Sequence, residues 1–345
     1  MGTFQFTKFI ATQALRTSNY HWVTAEPKHL LIATRSSELA LRQARQVQSG
    51  LARAGVAAEL KTYKTSGDKK LDEPLSAIGG KGLFTRELEI DLARGAVDCC
   101  VHSLKDLPTD GADVSGLTIG AVLTREDPRD VLIVNDVTGA SSLADLPRGS
   151  RVGTSSLRRR AQLLALRNDV EVVALRGNVP TRIRKVDEGQ VHAAILAAAG
   201  LHRLGVQERV ASYLDAPAWL PAAGQGAIAV QIREDDERMR SILAPLHDAD
   251  TWRQVRAERA FLAALEGGCQ VPIGALATER EGRFMLYGLI ADVDGLRVVR
   301  GEHPIDENNP ELSGIRLANE LRSRGATKIL EGLRRADRVP APQPE

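Results

Sequence analysis

The sequence predicts an α/β protein of two similar units followed by a smaller α+β domain. Three observations carry this reading. From Leu30 onward, short apolar runs alternate with amphipathic segments, which implies parallel sheets covered by helices. The same alternation restarts near Arg151. After Cys269 it gives way to closely spaced strands around Asp294-Gly295, a strong hairpin signal. At 345 residues the chain is long for one core, since a domain averages roughly 150 residues.

In chain order, Leu30 to Thr34 reads as a buried strand, and Ser37 caps a helix from Glu38 to Ala54. Ala58 to Thr65 alternates like a strand until Ser66-Gly67-Asp68 breaks it. Gly79-Gly80-Lys81-Gly82 precedes an amphipathic helix near Leu83 to Arg94. Strands follow at Asp98 to Leu104, Leu117 to Leu123 and Val131 to Asn135. In the second unit, Val152 to Thr154 ends a strand, Ser155-Ser156 caps a helix over Leu157 to Leu166, and Val170 to Leu175 is a strand. Arg176-Gly177-Asn178 turns into a helix from Val179 to Glu188, where Pro180 is tolerated in the first turn. His192 to Ala198 and Ala227 to Ile232 are strands, and Asp235 to Leu246 and Asp250 to Leu265 are helices. Strands at Ala275 to Thr278, Phe284 to Val293 and Leu296 to Gly301 precede helices near Glu311 to Arg324 and Thr327 to Arg335.

Composition excludes several classes. The net charge of +2 and 4% aromatic residues argue against a nucleic-acid binder, so the arginines must act locally. Three cysteines, two of them adjacent, make no disulfide framework and point to a reducing compartment. No apolar run approaches the roughly 18 residues of a membrane helix. Residues 1–28 hold three Lys or Arg against one acid, a weak transit-peptide pattern, and are read as a disordered extension. A cytoplasmic location is expected, or an organelle if those residues are a transit peptide. Residues 337–345 read as a disordered tail, and a monomer is expected.

Arginine placement is the clearest chemical signal. Arg35, Arg158, Arg159, Arg176 and Arg182 all fall just after a strand or in the first turns of the next helix. That edge of an open sheet binds ligands, and guanidinium suits carboxylate or phosphate. Ser37, Thr154, Ser155 and Ser156 put hydroxyls there too. Any one of these arginines alone could be solvated surface, the reading given to Arg160 and Arg184. Lys81 fails the phosphate-loop spacing, because Gly82 stands where Ser or Thr is needed. Asp106 ends a strand and is the one carboxylate placed among the cations, with turn capping as its alternative. Cys99, Cys100 and His102 lack a suitable fourth ligand, so no metal is expected. Cys269 follows two glycines at a helix end, which presents its thiol on a short loop; a small buried side chain is the alternative.

Together these segments resemble the porphobilinogen deaminase (hydroxymethylbilane synthase) family from Leu30 to Leu333. The matching stretches are Ile32-Ala33-Thr34-Arg35, Gly79-Gly80-Lys81-Gly82-Leu83-Phe84 and Val101-His102-Ser103-Leu104-Lys105-Asp106-Leu107-Pro108. They continue with Gly153-Thr154-Ser155-Ser156-Leu157-Arg158-Arg159, Leu175-Arg176-Gly177-Asn178 and Glu266-Gly267-Gly268-Cys269-Gln270-Val271-Pro272-Ile273-Gly274. At Glu38 the family pattern would have proline or lysine, a departure at a helix start.

The resemblance implies two lobes like those of periplasmic binding proteins, residues 29–124 with 225–246 and residues 125–224, and a third domain over 247–336. It implies a dipyrromethane cofactor joined to Cys269 by a thioether and contacted by Ser103, Lys105, Thr154, Ser156, Arg158, Arg159, Gly177 and Asn178. Porphobilinogen and the growing oligopyrrole would meet Arg35, Ser37, Lys81, Arg176, Arg182 and Arg203. Four porphobilinogen units would add in turn with loss of ammonia, and Asp106 would balance the cationic azafulvene so formed. A charge pair at about 4 Å and effective dielectric near 20 contributes about 4 kcal/mol, roughly a thousandfold in rate. A non-catalytic two-lobed anion-binding module is the alternative, but it would need no Cys269.

Overall fold

The turn that starts the first helix sets the pattern for the molecule. Residues 29–65, 85–109, 114–265 and 271–336 are described by a computed structural model, without the side chains of 334–336. β1 (Leu30–Arg35) ends at that turn, and the Ser37 hydroxyl accepts the Ala40 N–H, which caps α1 (Glu38–Arg53). Ala44, Val47 and Leu51 then fall on one face of α1 and are buried against Leu30 and Ile32 of β1.

β1 joins β2 (Ala58–Tyr63), β3 (Cys99–Ser103), β4 (Leu117–Val122) and the returning β10 (Ile228–Arg233) in the first sheet, ordered β2-β1-β3-β10-β4. The second sheet repeats the plan as β7-β6-β8-β5-β9, built from β5 (Asp130–Val134), β6 (Arg151–Gly153), β7 (Glu171–Val173), β8 (Ala193–Ala197) and β9 (Ser212–Leu214). Helices α2 (Arg86–Ala93) and α6 (Glu237–Leu243) belong to the first lobe. Helices α3 (Leu157–Leu166), α4 (Val179–Asp187) and α5 (Ala198–Leu204) belong to the second.

The sheets are mixed, which corrects the expectation of parallel ones. β1 pairs in parallel with β2 and β3, but β10 runs antiparallel to β3 and β4. Likewise β6 is parallel to β7 and β8, and β5 is antiparallel to β8 and β9. The cause is the connectivity. β5 and β10 are the strands that each lobe receives directly from the other, so they enter at the edge where their neighbours end. That edge therefore collects Ser103 beside Ile228 in one sheet and Ala197 beside Asp130 in the other.

The third sheet, β11 (Ile273–Arg280), β12 (Arg283–Ala291) and β13 (Val298–Pro304), is antiparallel throughout. It packs on α7 (Ala249–Ala264), α8 (Pro310–Leu321) and α9 (Thr327–Ala336), with Phe261 of α7 buried among Leu286, Ile290, Leu317 and Leu321. Val255 of α7 instead packs with Leu104 and Leu107 of the first lobe, and Ala161 and Leu220 of the second lobe pack with Leu276 and Leu289 of the third sheet.

Some element boundaries differ from the sequence reading. β13 starts two residues later than expected, because Gly295 takes φ +68 and leaves Leu296 exposed in the turn. The Asp235 to Leu246 helix is α6 followed by a 3-10 turn at Pro245. α5 is not anticipated, since the alanine run 197–199 carries no periodic contrast between strand and helix, and β9, at three residues, is too short to show a period.

Candidate active site

At the first lobe's edge, β3 ends in a single 3-10 turn, Leu104–Asp106, that buries Leu104 and leaves Lys105 and Asp106 half-buried. Arg35, Ser103 and Asp106 line one cavity of about 20 Å³ together with Gln43, Thr85 and His102. That is room for about one water molecule. Gln43 Nε2 donates to Ser103 Oγ at 2.8 Å, which ties α1 to the end of β3. Burial pushes the His102 imidazole down to about 4, so it is neutral. The buried Cys99 thiol is pushed up to about 12 by burial, so it is inert as a nucleophile. Among the described residues, no three His, Cys, Asp or Glu side chains are placed to hold a metal ion.

At the second lobe's edge, Asp130 is fully buried and surrounded by donors. Its Oδ2 accepts from Arg158 Nη1 at 2.7 Å and Trp219 Nε1 at 2.8 Å. Its Oδ1 accepts from Arg159 Nη2 at 2.7 Å and Gln225 Nε2 at 2.8 Å. Burial alone would raise its pKa, but the two guanidiniums outweigh that and hold it well below the usual carboxylate range. Asp130 corrects the reading of Asp106 as the one carboxylate among the cations. No local motif marks it.

The other expected cations converge on this floor. Ser156 caps α3 by accepting the Arg159 N–H, and Thr154 Oγ1 accepts from Ser156 N at 3.2 Å, so these hydroxyls hold the turn that presents Arg158 and Arg159. Asn178 caps α4 in the same way. Gly177 takes φ +112, where a Cβ would lie 2.8 Å from Thr181, and its carbonyl accepts from Arg182 Nε at 2.7 Å. Burial and the like charges of Arg159 and Arg176 push Arg182 down to about 10. Lys105 Nζ donates to Gln225 Oε1 at 3.3 Å. Burial, with Arg159 and Arg158 nearby, pushes Lys105 down to about 8, against the opposing pull of Asp106 and Asp130. Among the described residues, four buried guanidinium nitrogens have no hydrogen-bond partner, and two of them, Arg159 Nε and Arg176 Nη1, belong to this floor; the others are Arg160 Nε and Arg203 Nε. Gathered cations with unmet donors are a site for a polyanion.

Arg203 stands apart from this floor. Its Nη2 donates to Gly226 O at 2.7 Å, against the segment that returns to the first lobe. There Gly226 takes φ +91, and a Cβ would sit 2.2 Å from Glu126 O, so the two crossing segments touch through glycine. Arg160 and Arg184 reach Asp294 and Glu188 at 3.6 Å each, in keeping with solvated roles. Lys81 and Cys269 lie outside the described residues. The helix before Cys269 nonetheless reaches the site. Arg259 of α7 donates to Leu107 O at 3.0 Å and Pro108 O at 2.6 Å, just after Asp106. Sequence reasoning missed Asp130, Gln225 and Arg259 because each acts on partners distant in the chain.

Residues 30–241 match the family model described as porphobilinogen deaminase, dipyromethane cofactor binding domain, and residues 252–323 match that of the porphobilinogen deaminase C-terminal domain. The porphobilinogen deaminase of Syntrophobacter fumaroxidans is 49% identical over 307 residues, covering 88% of this chain and 98% of that protein. That of Pelobacter propionicus is 50% identical over 309 residues, covering 88% of this chain and 97% of that protein. Among solved structures, the methionine binding protein MetQ is similar over 66% of this chain and 93% of its own, at 14% identity and TM-score 0.42.

Proposed function

The chain belongs to the porphobilinogen deaminase family, and from that premise we propose that it condenses four porphobilinogen molecules head to tail with release of ammonia. Water then cleaves the four-pyrrole chain from its primer, and its hydroxyl becomes that of the product, hydroxymethylbilane, the open-chain precursor of tetrapyrroles including haem. The observation that carries this reading is the pair of unpartnered buried nitrogens, Arg159 Nε and Arg176 Nη1, in the cationic floor that Lys105 joins.

The family's dipyrromethane suits that floor. Its two pyrroles carry an acetate and a propionate each, so it brings four carboxylates. Lys105, Arg158, Arg159, Arg176 and Arg182 set five cations against Asp106 and Asp130, an excess of three. We assign Cys269 as its point of attachment. Bound there, it would supply a tethered pyrrole carbon as the nucleophile for the first incoming unit, the newest pyrrole of the chain serving for each later one. Arg158, Arg159, Ser103, Thr154, Ser156, Gly177 and Asn178 would line it, and Arg35, Ser37, Lys81, Arg176, Arg182 and Arg203 would take the carboxylates of porphobilinogen and the growing chain.

Asp106 faces the cavity shared with Arg35 and Ser103. A carboxylate there stabilises the positive charge that develops on the substrate as its C–N bond breaks and ammonia leaves with the bonding pair. Arg259 holds the backbone beyond Asp106, and Lys105 lies between Asp106 and the floor. A lengthening product needs room, so the lobes, taken as residues 29–124 with 225–246 and residues 125–224, would shift about their crossing segments. Scattering of trapped intermediates that showed no change of shape would count against that shift. We place the enzyme in the cytoplasm as a monomer. No described helix is long and apolar enough to cross a membrane.

Intact mass of the purified protein tests the assignment. An excess corresponding to two pyrroles, absent from Cys269→Ser, is expected. A wild-type chain at bare polypeptide mass even after supply of porphobilinogen would overturn it.

A further inference from the structure

Asp130 has no part in the reaction as described, yet it occupies the centre of the cationic floor. Four donors converge on its two oxygens from three stretches of chain: Arg158 and Arg159 on α3, Trp219, and Gln225 on the returning segment. An ionised carboxylate offers about four acceptor positions, so all are taken. Asp130 therefore has nothing left with which to bind a ligand or move a proton.

It is also more than a neutralising partner. One arginine would balance it, whereas two are held, each by a single Nη. Arg158 Nη1 also donates to Leu220 O and Arg159 Nη1 to Ile195 O, while Arg159 Nε stays unpartnered. Gln225 extends the arrangement, since its amide nitrogen donates to Asp130 and its amide oxygen accepts from Lys105. The chain of contacts thus runs from α3 of the second lobe to the residue next to Asp106 in the first.

We propose that Asp130 is a positioning residue that fixes the Arg158 and Arg159 guanidiniums and, through Gln225, the Lys105 ammonium in one arrangement for an oligocarboxylate. This rests on the family reading of the site. Replacing the carboxylate leaves two cations to repel one another and removes one of the acceptors that orient the Gln225 amide toward Lys105, another being Pro128 O at 2.8 Å.

The test compares wild type with Asp130→Asn, Asp130→Glu and Trp219→Phe. Three quantities are measured: melting temperature, the folded fraction carrying the two-pyrrole mass, and kcat and KM of that fraction. In folded Asp130→Asn, loading should fall at least about tenfold, and kcat of the loaded remainder about 100-fold, with a smaller change in KM. Asp130→Glu should restore part of both. Trp219→Phe keeps the charge and three donors, so it should load fully with kcat within about threefold of wild type.

Full loading and wild-type turnover in folded Asp130→Asn would overturn the proposal. So would a loss of loading that merely tracked melting temperature across the three variants, since that is a structural role. If Asp130→Asn does not fold, Gln225→Met removes the bridge between Asp130 and Lys105 while leaving Arg158, Arg159 and Trp219 on the carboxylate; full loading with about tenfold lower kcat is then expected, and unchanged kcat is the overturning result. A wild type without added mass would sink the family reading itself, whereas loaded wild type beside an equally loaded and active variant sinks this inference alone.

Discussion

Arg125 and Glu258 form a buried two-pronged ion pair, with Nη1–Oε1 at 2.6 Å and Nη2–Oε2 at 3.0 Å, where the two lobes and the third domain meet. Arg125 lies on the segment leaving the first lobe. The same carboxylate accepts the N–H of Gly224, on the returning segment, and of Ala277, on β11. Glu258→Ala strands a buried guanidinium and two amides, so a loss of about 3–5 kcal/mol is expected. The exposed pair Arg42–Glu38, at 3.2 Å, should contribute no more than about 0.5 kcal/mol. Denaturant unfolding of Glu258→Ala and Glu38→Ala side by side checks the contrast, and equal small losses would refute it.

Asp106→Ala should retain its cofactor yet release ammonia roughly a thousandfold more slowly, the value of one charge pair in a partly dry site. Asp106→Glu shifts the carboxylate by one methylene and should lose less. Ammonia release from protein of verified mass reads this directly. A fully active Asp106→Ala would remove the proposed role.

Arg176 shows how a functional cation can oppose stability. Its Nη1 is buried without a partner, and its charge adds to those of Arg159 and Arg182. Arg176→Leu should leave the melting temperature unchanged or raise it. KM for porphobilinogen should rise about 10–100-fold, the worth of one charged hydrogen bond. A fall in melting temperature with unchanged KM would mark Arg176 as structural.

Lys105 gives the site a pH dependence of definite sign. In the fold it is pushed down from 10.5 to about 8, with burial the main cause. Between those values the unfolded chain holds a proton that the folded chain lacks, so stability gains as pH rises through that window. Anion binding moves the other way, because the ammonium is lost. In the Cys269→Ser protein, citrate affinity measured by calorimetry should drop from pH 7 to pH 9.5, and Lys105→Arg should flatten that dependence. A dependence that persisted in Lys105→Arg would assign it to another group.

Much of the molecule was legible because its signals are short-ranged. Ser37 and Ser156 cap the helices that their positions suggest, and α3 has the bounds its periodicity gives. Gly177 turns where the phosphate-like edge requires it, at φ +112. Arg158, Arg159, Arg176 and Arg182 meet because each follows a strand or opens a helix at one sheet edge. The expectation failed where chain direction mattered. Alternation of strand and helix cannot reveal that β5 and β10 come from the opposite lobe and run backwards.

The amino-acid order alone therefore determined most of the elements, though not β9 or α5, the two-lobed plan with its appended domain, the cationic edge and the family. Only the tertiary structure decided who neutralises whom. Asp130 meets partners 28, 29, 89 and 95 residues away, and Arg259 grips carbonyls 151 and 152 residues upstream. Caps and periodicity are set by neighbours within a turn or two of the chain. Charge pairing in a buried floor is set by which segments the crossings bring together, and by the desolvation that makes each unpaired group costly.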